Sequence, residues 1–400
     1  MTIQNTRETV VGRRDMMPTT TFGVEEFRCG RLRLLQPRRR ICNATLSFTR
    51  MARLVLATTA LAIVTTATVG SAGAQPVAPL KNAIGSVFTA DEVGNSISAI
   101  NLSTGQLIIT PTTISPHNVQ VTVDGARLLA VGDKLAAQGE QGHNEQKHGG
   151  KAAGFLQIFL TSSIGSGPTT SIAVGDHPAH VVVDKKGRRA FVTLSGEDTV
   201  AAIDLNPNVI LRKIPTGRYP HGLRISPNGR AIYVANVDDG SVTVIDTKSL
   251  SAVTRISVGK GPVQVGFTPD GSRVYVSLRD ENKVAVIDSK TKAVLWRIDV
   301  GRNPIQVHAT RDGRFVYVAN QGTDAEPADT VSVIENATAK VVATIRTGAG
   351  AHGIAISNDG RFVFVTNIVA GTVSVIDAGS RSVVANFPVG KGPNGITYKP

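Results

Sequence analysis

From about residue 84 onward the chain alternates short apolar runs with polar turns. Segments such as HGLRI, AIYVAN, SVTVID and AVTRISVG each alternate or run apolar for five to eight residues. They are separated by P-N-G or P-D-G turns and by polar loops such as D-D-G, the pattern of antiparallel strands joined by tight connections. Aligned on itself, the chain repeats the frame GRYPHGLRISPNGRAIYVANVDDGSVTVID (217–246) at 259–288, 301–335, 348–377 and 175–204. The turn glycines Gly187, Gly229, Gly271 and Gly313 are 42 residues apart, and Gly360 follows after 47 because of an insertion around Asp324 to Asp329. A fixed period of this size signals a repeat architecture.

Four strands, A to D, fit one unit. A sheet this small cannot bury both faces unless copies stack around an axis, which predicts a β-propeller. Strand A segments are expected at His117–Val123, Ala179–Val183, His221–Ile225, Val263–Phe267, Ile305–Ala309, His352–Ile356 and Asn394–Tyr398, giving seven blades. Residues 84–110 supply strands B, C and D without an A, and the C-terminus supplies an A with nothing after it. The fold class is therefore all-β, a seven-bladed propeller of four-stranded antiparallel blades. Its ring is closed by N-terminal strands B-C-D and the C-terminal strand A, which removes free sheet edges. Interblade burial is expected from Val119, Val181, Leu223, Val265, Val307, Ile354 and Ile396.

Upstream the pattern changes. Arg53 precedes an apolar stretch, Leu54 to Val69, and then Ala72-Gly73-Ala74, the layout of a secretory signal peptide. The reading is a signal over 51–74, an N-terminal extension over 1–50 that is non-native or disordered, and a propeller over 75–400. Residues 1–74 hold eleven Arg and four acidic residues, so the formal charge of +13 falls to +6 without them. Both cysteines, Cys29 and Cys42, also lie there, which excludes disulfides and thiolate metal sites downstream. The expected location is periplasmic or secreted, with no membrane span after cleavage.

The segments YVAN (233–236), YVSL (275–278), YVAN (317–320), FVTN (364–367) and FVTL (191–194) resemble the YVTN-family β-propeller repeat, which includes the YncE-like exported proteins. The resemblance covers about residues 80–400. It implies the fold and leaves function open, since one fold hosts many functions.

Candidate chemistry falls on the face where D-to-A and B-to-C connections emerge. Arg218, Lys260, Arg302 and Lys391 each follow the glycine that ends a strand D and form a partial basic ring. With His180 and His308 they are the candidate ligand-binding residues, suited to an anionic small molecule or a protein partner. All eight histidines lie in or beside this face. His117, His221 and His352 occupy equivalent strand A positions, and His143 and His148 sit in a glycine-rich insertion at 136–150. These five are the candidate metal ligands, for zinc or copper.

The leading expectation is a monomeric exported binding protein with no cofactor. The alternative is a metal-dependent enzyme, oxidoreductase or lactonase-like, with its site at the histidine-bearing mouth. No catalytic residue is assigned: the strand A segments hold no Asp or Glu before the turn, with Asp91 as the nearest exception. No P-loop, G-x-G-x-x-G, G-x-S-x-G or C-x-x-C-H motif is found in the mature part. Nucleic acid is not expected as a partner, because aromatic stacking residues are scarce on the basic face.

Overall fold

The alternating pattern produces seven four-stranded antiparallel sheets, each with the spatial order A-B-C-D. The computed structural model describes residues 78–135 and 153–400. The extension over 1–50, the signal-like segment over 51–74, and His143 and His148 lie outside the described residues. Blades one to six run in chain order, with strands A at Ile114–Val121, Pro178–Val183, Pro220–Ile225, Pro262–Phe267, Pro304–Ala309 and Ala351–Ile356. Blade seven joins the C-terminal strand Pro393–Lys399 to Ser86–Asp91, Ser96–Asn101 and Leu107–Pro111, so the ring is closed by pairing the two ends of the propeller. Each strand A neighbours those of the adjacent blades all the way round. Among the described residues no helix is long and apolar enough to cross a membrane.

Apolar side chains from adjoining blades share clusters. Leu129 and Val131 of blade one pack with Val181 and Val192 of blade two, and Ala355 and Phe364 of blade six pack with Val87, Ile100 and Ile396 of blade seven. All seven interblade residues named from the sequence are buried, from Val181 at 0% to Ile396 at 9% relative exposure. This stacking is the main source of stability, because no single sheet could cover its own faces.

One irregularity sets the shape of the hub. In every blade strand A carries an extra residue relative to strand B. In blade three, Pro220 pairs with Asn236 and Leu223 with Val234, so His221 and Gly222 together face Ala235. Such a bulge bends the strand and re-aims its side chains. Where glycine fills the second bulge position the next blade comes very close: a Cβ on Gly222 would lie 2.4 Å from the Val263 carbonyl oxygen, and one on Gly353 2.6 Å from that of Asn394.

Candidate functional site

The bulges build a polar ring at the hub. Each blade places an imidazole or amide in at least one of its two bulge positions: His117, His180, His221, Gln264, Gln306, His352 and Asn394 in order round the ring, with Asn118 beside His117 in blade one. Their neighbours in the bulge are mostly apolar or glycine, as at Ala179, Gly222, Val263, Ile305, Gly353 and Gly395. The polar side chains meet inside the ring, both between adjacent blades, as Gln264 with Gln306 and Asn394 with His117, and across it, where two contacts skip a blade. His117 Nε2 of blade one lies 3.1 Å from His221 Nε2 of blade three, and Gln264 Nε2 of blade four lies 3.4 Å from His180 Nδ1 of blade two.

The histidines at the first bulge position are held alike. His221 Nδ1 lies 3.3 Å from the Val263 carbonyl oxygen and His352 Nδ1 3.2 Å from the Asn394 carbonyl oxygen, each on the following blade. His117 Nδ1 instead meets Glu92 Oε1 at 3.1 Å, while Asn394 Nδ2 donates to Glu92 Oε2 at 2.6 Å. Carbonyl oxygens only accept, so Nδ1 carries the proton in His221 and His352 and their neutral imidazoles present a lone pair at Nε2, whereas His117 Nδ1 faces both the Glu92 carboxylate and, 3.2 Å away, the donor Asn394 Nδ2. Strand B hydroxyls bond carbonyl groups at the first bulge position of the next blade, with Thr193 Oγ1 donating to the His221 oxygen at 2.7 Å and Thr366 Oγ1 to that of Asn394 at 3.0 Å.

Electrostatics follow from crowding. Burial, then the charges of His117 and His352, lowers His221 to about 3; burial, then His117, lowers His352 to about 4. His180, fully buried, is pushed well below the ordinary histidine range by burial and by its neighbours His221 and His117. Burial alone would raise Glu92, yet the charge and hydrogen bond of His117 and the bond from Asn394 outweigh it and bring the carboxyl down to about 2. Glu92 is therefore ionised at neutral pH, with 34% of its side chain still reached by solvent.

Three of these imidazoles converge. His117, His180 and His221 bring ring nitrogens within 4.8 Å of one another. Their ring centroids are 4.7–5.6 Å apart in edge-on arrangements. His180 Nε2 is buried without a hydrogen-bond partner. The sequence frame grouped His117, His221 and His352, which share one bulge position; His180, one residue later in the frame, was assigned to general ligand binding. The bulge turns both positions inward, so His180 joins His117 and His221, while His352 stands outside the set of mutually close nitrogens. Glu92, just past the strand B position that pairs with Pro393 at the start of the bulge in blade seven, went unrecognised because most blades have no carboxylate there, blade one with Asp133 being an exception.

The other candidates lie apart from the cluster. Arg218 pairs with Asp239 at 2.9 Å and also donates to the Asp238 carbonyl oxygen, and Arg302 is held by Glu326. Lys260 shares an open depression with Arg218 and Arg279, where Asp238, Asp239 and Asp280 oppose the positive charge. Lys391 uses its backbone oxygen to accept from Gly94, and its side chain has no ion pair among the described residues. Arg218 and Arg302 are thus offset by acids from neighbouring loops. His308 lies further along strand A, with Nδ1 3.0 Å from the Ala309 carbonyl oxygen, and burial followed by the charge of Arg224 lowers it to about 4.

A family model, the YNCE-like beta-propeller, matches residues 167–399. The chain belongs to the YNCE-like β-propeller family. This YNCE-like propeller also resembles solved structures at low identity. Hydrazine synthase of Kuenenia stuttgartiensis is 21% identical, with a TM-score of 0.60 over 72% of this chain and 90% of that one. A functionally unknown protein of Desulfotomaculum acetoxidans is 18% identical, with a TM-score of 0.63 over 78% and 98% of the two chains. Such likenesses carry the fold alone. No curated protein matches the chain.

Proposed function

We propose that this YNCE-like propeller is a binding protein whose ligand seats in the polar ring at the hub, on the face of the D-to-A and B-to-C connections. The observation that carries the reading is the contribution of an imidazole or amide from the strand A bulge of every blade, one of them with a buried nitrogen that no protein group satisfies. Buried polar atoms are nearly always paired, and those that are not mark places where something else completes the bonding. Arg224, along the same strand as His221, is lowered to about 10 by burial and has no carboxylate partner among the described residues, which suits a ligand with anionic character. The layout of residues 51–74 supports action outside the cytoplasm.

Histidine-selective 15N labelling of the propeller, with a panel of phosphate, citrate, Zn2+ and Cu+, tests the reading. At least one member should shift the ring histidines, and Gln264→Leu with Gln306→Leu should alter the response more than Arg218→Ala with Lys260→Ala. A panel that leaves every ring histidine unmoved, or a response that tracks only the outer Arg and Lys, would place the site elsewhere.

A further inference from the structure

We infer that His117, His180 and His221 form a three-imidazole site for a d10 cation of the zinc or cuprous class. The inference rests on the reading of the hub ring as a ligand site and gives that site a resident cation, which an anionic molecule can join. Tetrahedral Zn–N bonds of about 2.0–2.1 Å put donor nitrogens roughly 3.3 Å apart. His117 Nε2 and His221 Nε2 already stand 3.1 Å apart, and the nitrogens of all three rings fall within 4.8 Å. Two lone pairs facing each other at hydrogen-bond distance repel unless a proton or a cation lies between them. A cation shared by three imidazoles can take that place, satisfying the facing nitrogens together and giving His180 Nε2 a partner.

The surroundings have the form of a metal site. His117 Nδ1 faces the ionised Glu92 and His221 donates to a backbone carbonyl oxygen, the outer contacts that orient a ligating imidazole and raise its basicity. Asn394 in turn steadies Glu92 from the other oxygen. Three imidazole nitrogens and no thiolate or carboxylate among the donors favour zinc or copper over calcium or magnesium. Three protein ligands leave a fourth position for solvent, for a bound molecule or for His352.

The test uses the untagged full chain, stripped with chelator and titrated with Zn2+ or Cu+ against a chromophoric competitor, with metal per chain read by elemental mass spectrometry. One ion per chain is expected, together with a rise in Tm. His180→Leu and His221→Ala should each weaken binding by about 100-fold or more, while Val384→Ala, exposed on the outer strand of blade six, should change it by less than about threefold. Circular dichroism melts establish that the variants fold; should either fail to, His221→Gln carries the test with the same expected loss. No stoichiometric binding by the wild type, or affinity indifferent to His180 and His221, overturns the metal site. If metal fails while phosphate or citrate still shifts the ring histidines, the metal inference falls and the ligand-site reading stands. If nothing in the panel shifts them, both fall.

Discussion

Blade seven differs from the other six in how it is made and in what it buries. Each of the others is one continuous stretch of chain, whereas blade seven is assembled from both ends of the propeller and held by the pairing of Pro393–Lys399 with Ser86–Asp91. It also carries two adjacent carboxylates at the end of strand B. Where blades three, five and six have Asn236, Asn320 and Asn367, blade seven has the buried Asp91, and the next residue, Glu92, reaches His117. The blade that closes the ring therefore also sets the charge of the hub. Joining is noncovalent only here, so ring integrity and the electrostatics of the site depend on the same few contacts.

The sharpest way to break the contrast is to remove residues 393–400. The deletion strips strand A from blade seven, bares the edge of Ser86–Asp91 and takes Ile396 and Tyr398 from the cluster shared with blade six. Removing a strand A from a covalently continuous blade would leave that blade's neighbours joined by chain, but here the closure itself is lost. The truncated protein is expected to lose its cooperative thermal transition and to elute as aggregate or expanded chain on size exclusion.

Next in size is Glu92→Gln, which keeps the shape of the side chain and removes its charge. If Glu92 orients His117 for a metal, zinc affinity should fall by about 10- to 100-fold while the fold persists, as read by the competition titration. An unchanged affinity would reduce Glu92 to a structural partner of Asn394.

The contrast between blades also explains what the sequence could and could not reveal. Propeller, blade count and closure followed from the 42-residue frame and from ends that complement each other, because burial between identical units enforces the repeat at every copy. The site did not follow, because it lives in departures from the frame. A one-residue offset in a regular strand turns a side chain to the opposite face, so His180 looked separate from His117 and His221; the bulge between Pro178 and Val181 cancels that inversion. Glu92 was hidden for a related reason: it stands in a connection where the other blades vary freely. The basic residues drew notice through their spacing, but partners such as Asp239 and Glu326 come from loops whose approach only the folded ring reveals.

Asp91 offers a third test, with a pH signature. Thr89, Ser96 and Ser98 donate hydroxyl protons to its carboxylate, yet burial outweighs those bonds and raises the group from 3.8 to about 6. The folded state thus holds this proton more tightly than the unfolded chain. The linked stability is fully present below about pH 3.8 and is lost as pH rises through about 6, leaving a charged buried carboxylate at neutrality. Asn236 shows the alternative, its Nδ2 donating to Ser241 Oγ and Thr243 Oγ1 with the hydroxyls turned round. Asp91→Asn should therefore stabilise the propeller by about 1–3 kcal/mol at pH 7.5, and the gain should shrink steadily toward pH 4. Parallel thermal melts of the two proteins across that range check it; a gain independent of pH would assign the effect to packing.

The smallest expected effect isolates the closure from the site. At the place in strand A where blades three, four, five and six have Ile225, Phe267, Ala309 and Ile356, blade seven has Tyr398. Its ring stacks on Phe364 of blade six, 5.6 Å between centroids and 12° from parallel, as an apolar side chain at this position should. Its hydroxyl does what the other four cannot, donating to the Ile84 carbonyl oxygen at 3.0 Å and so tying the C-terminal strand to the segment that leads into strand B. Tyr398→Phe keeps the stacking and removes only that tie. Because the bond is exposed and exchanges with water, the loss should be about 0.5–1 kcal/mol, a drop in Tm of roughly 1–3 °C with zinc affinity unchanged. Melting curves paired with the competition titration separate the two readouts. A fall in affinity alongside Tm would mean that the hub histidines sense the tightness of the closure, and that ring and site are one cooperative unit rather than two features sharing a blade.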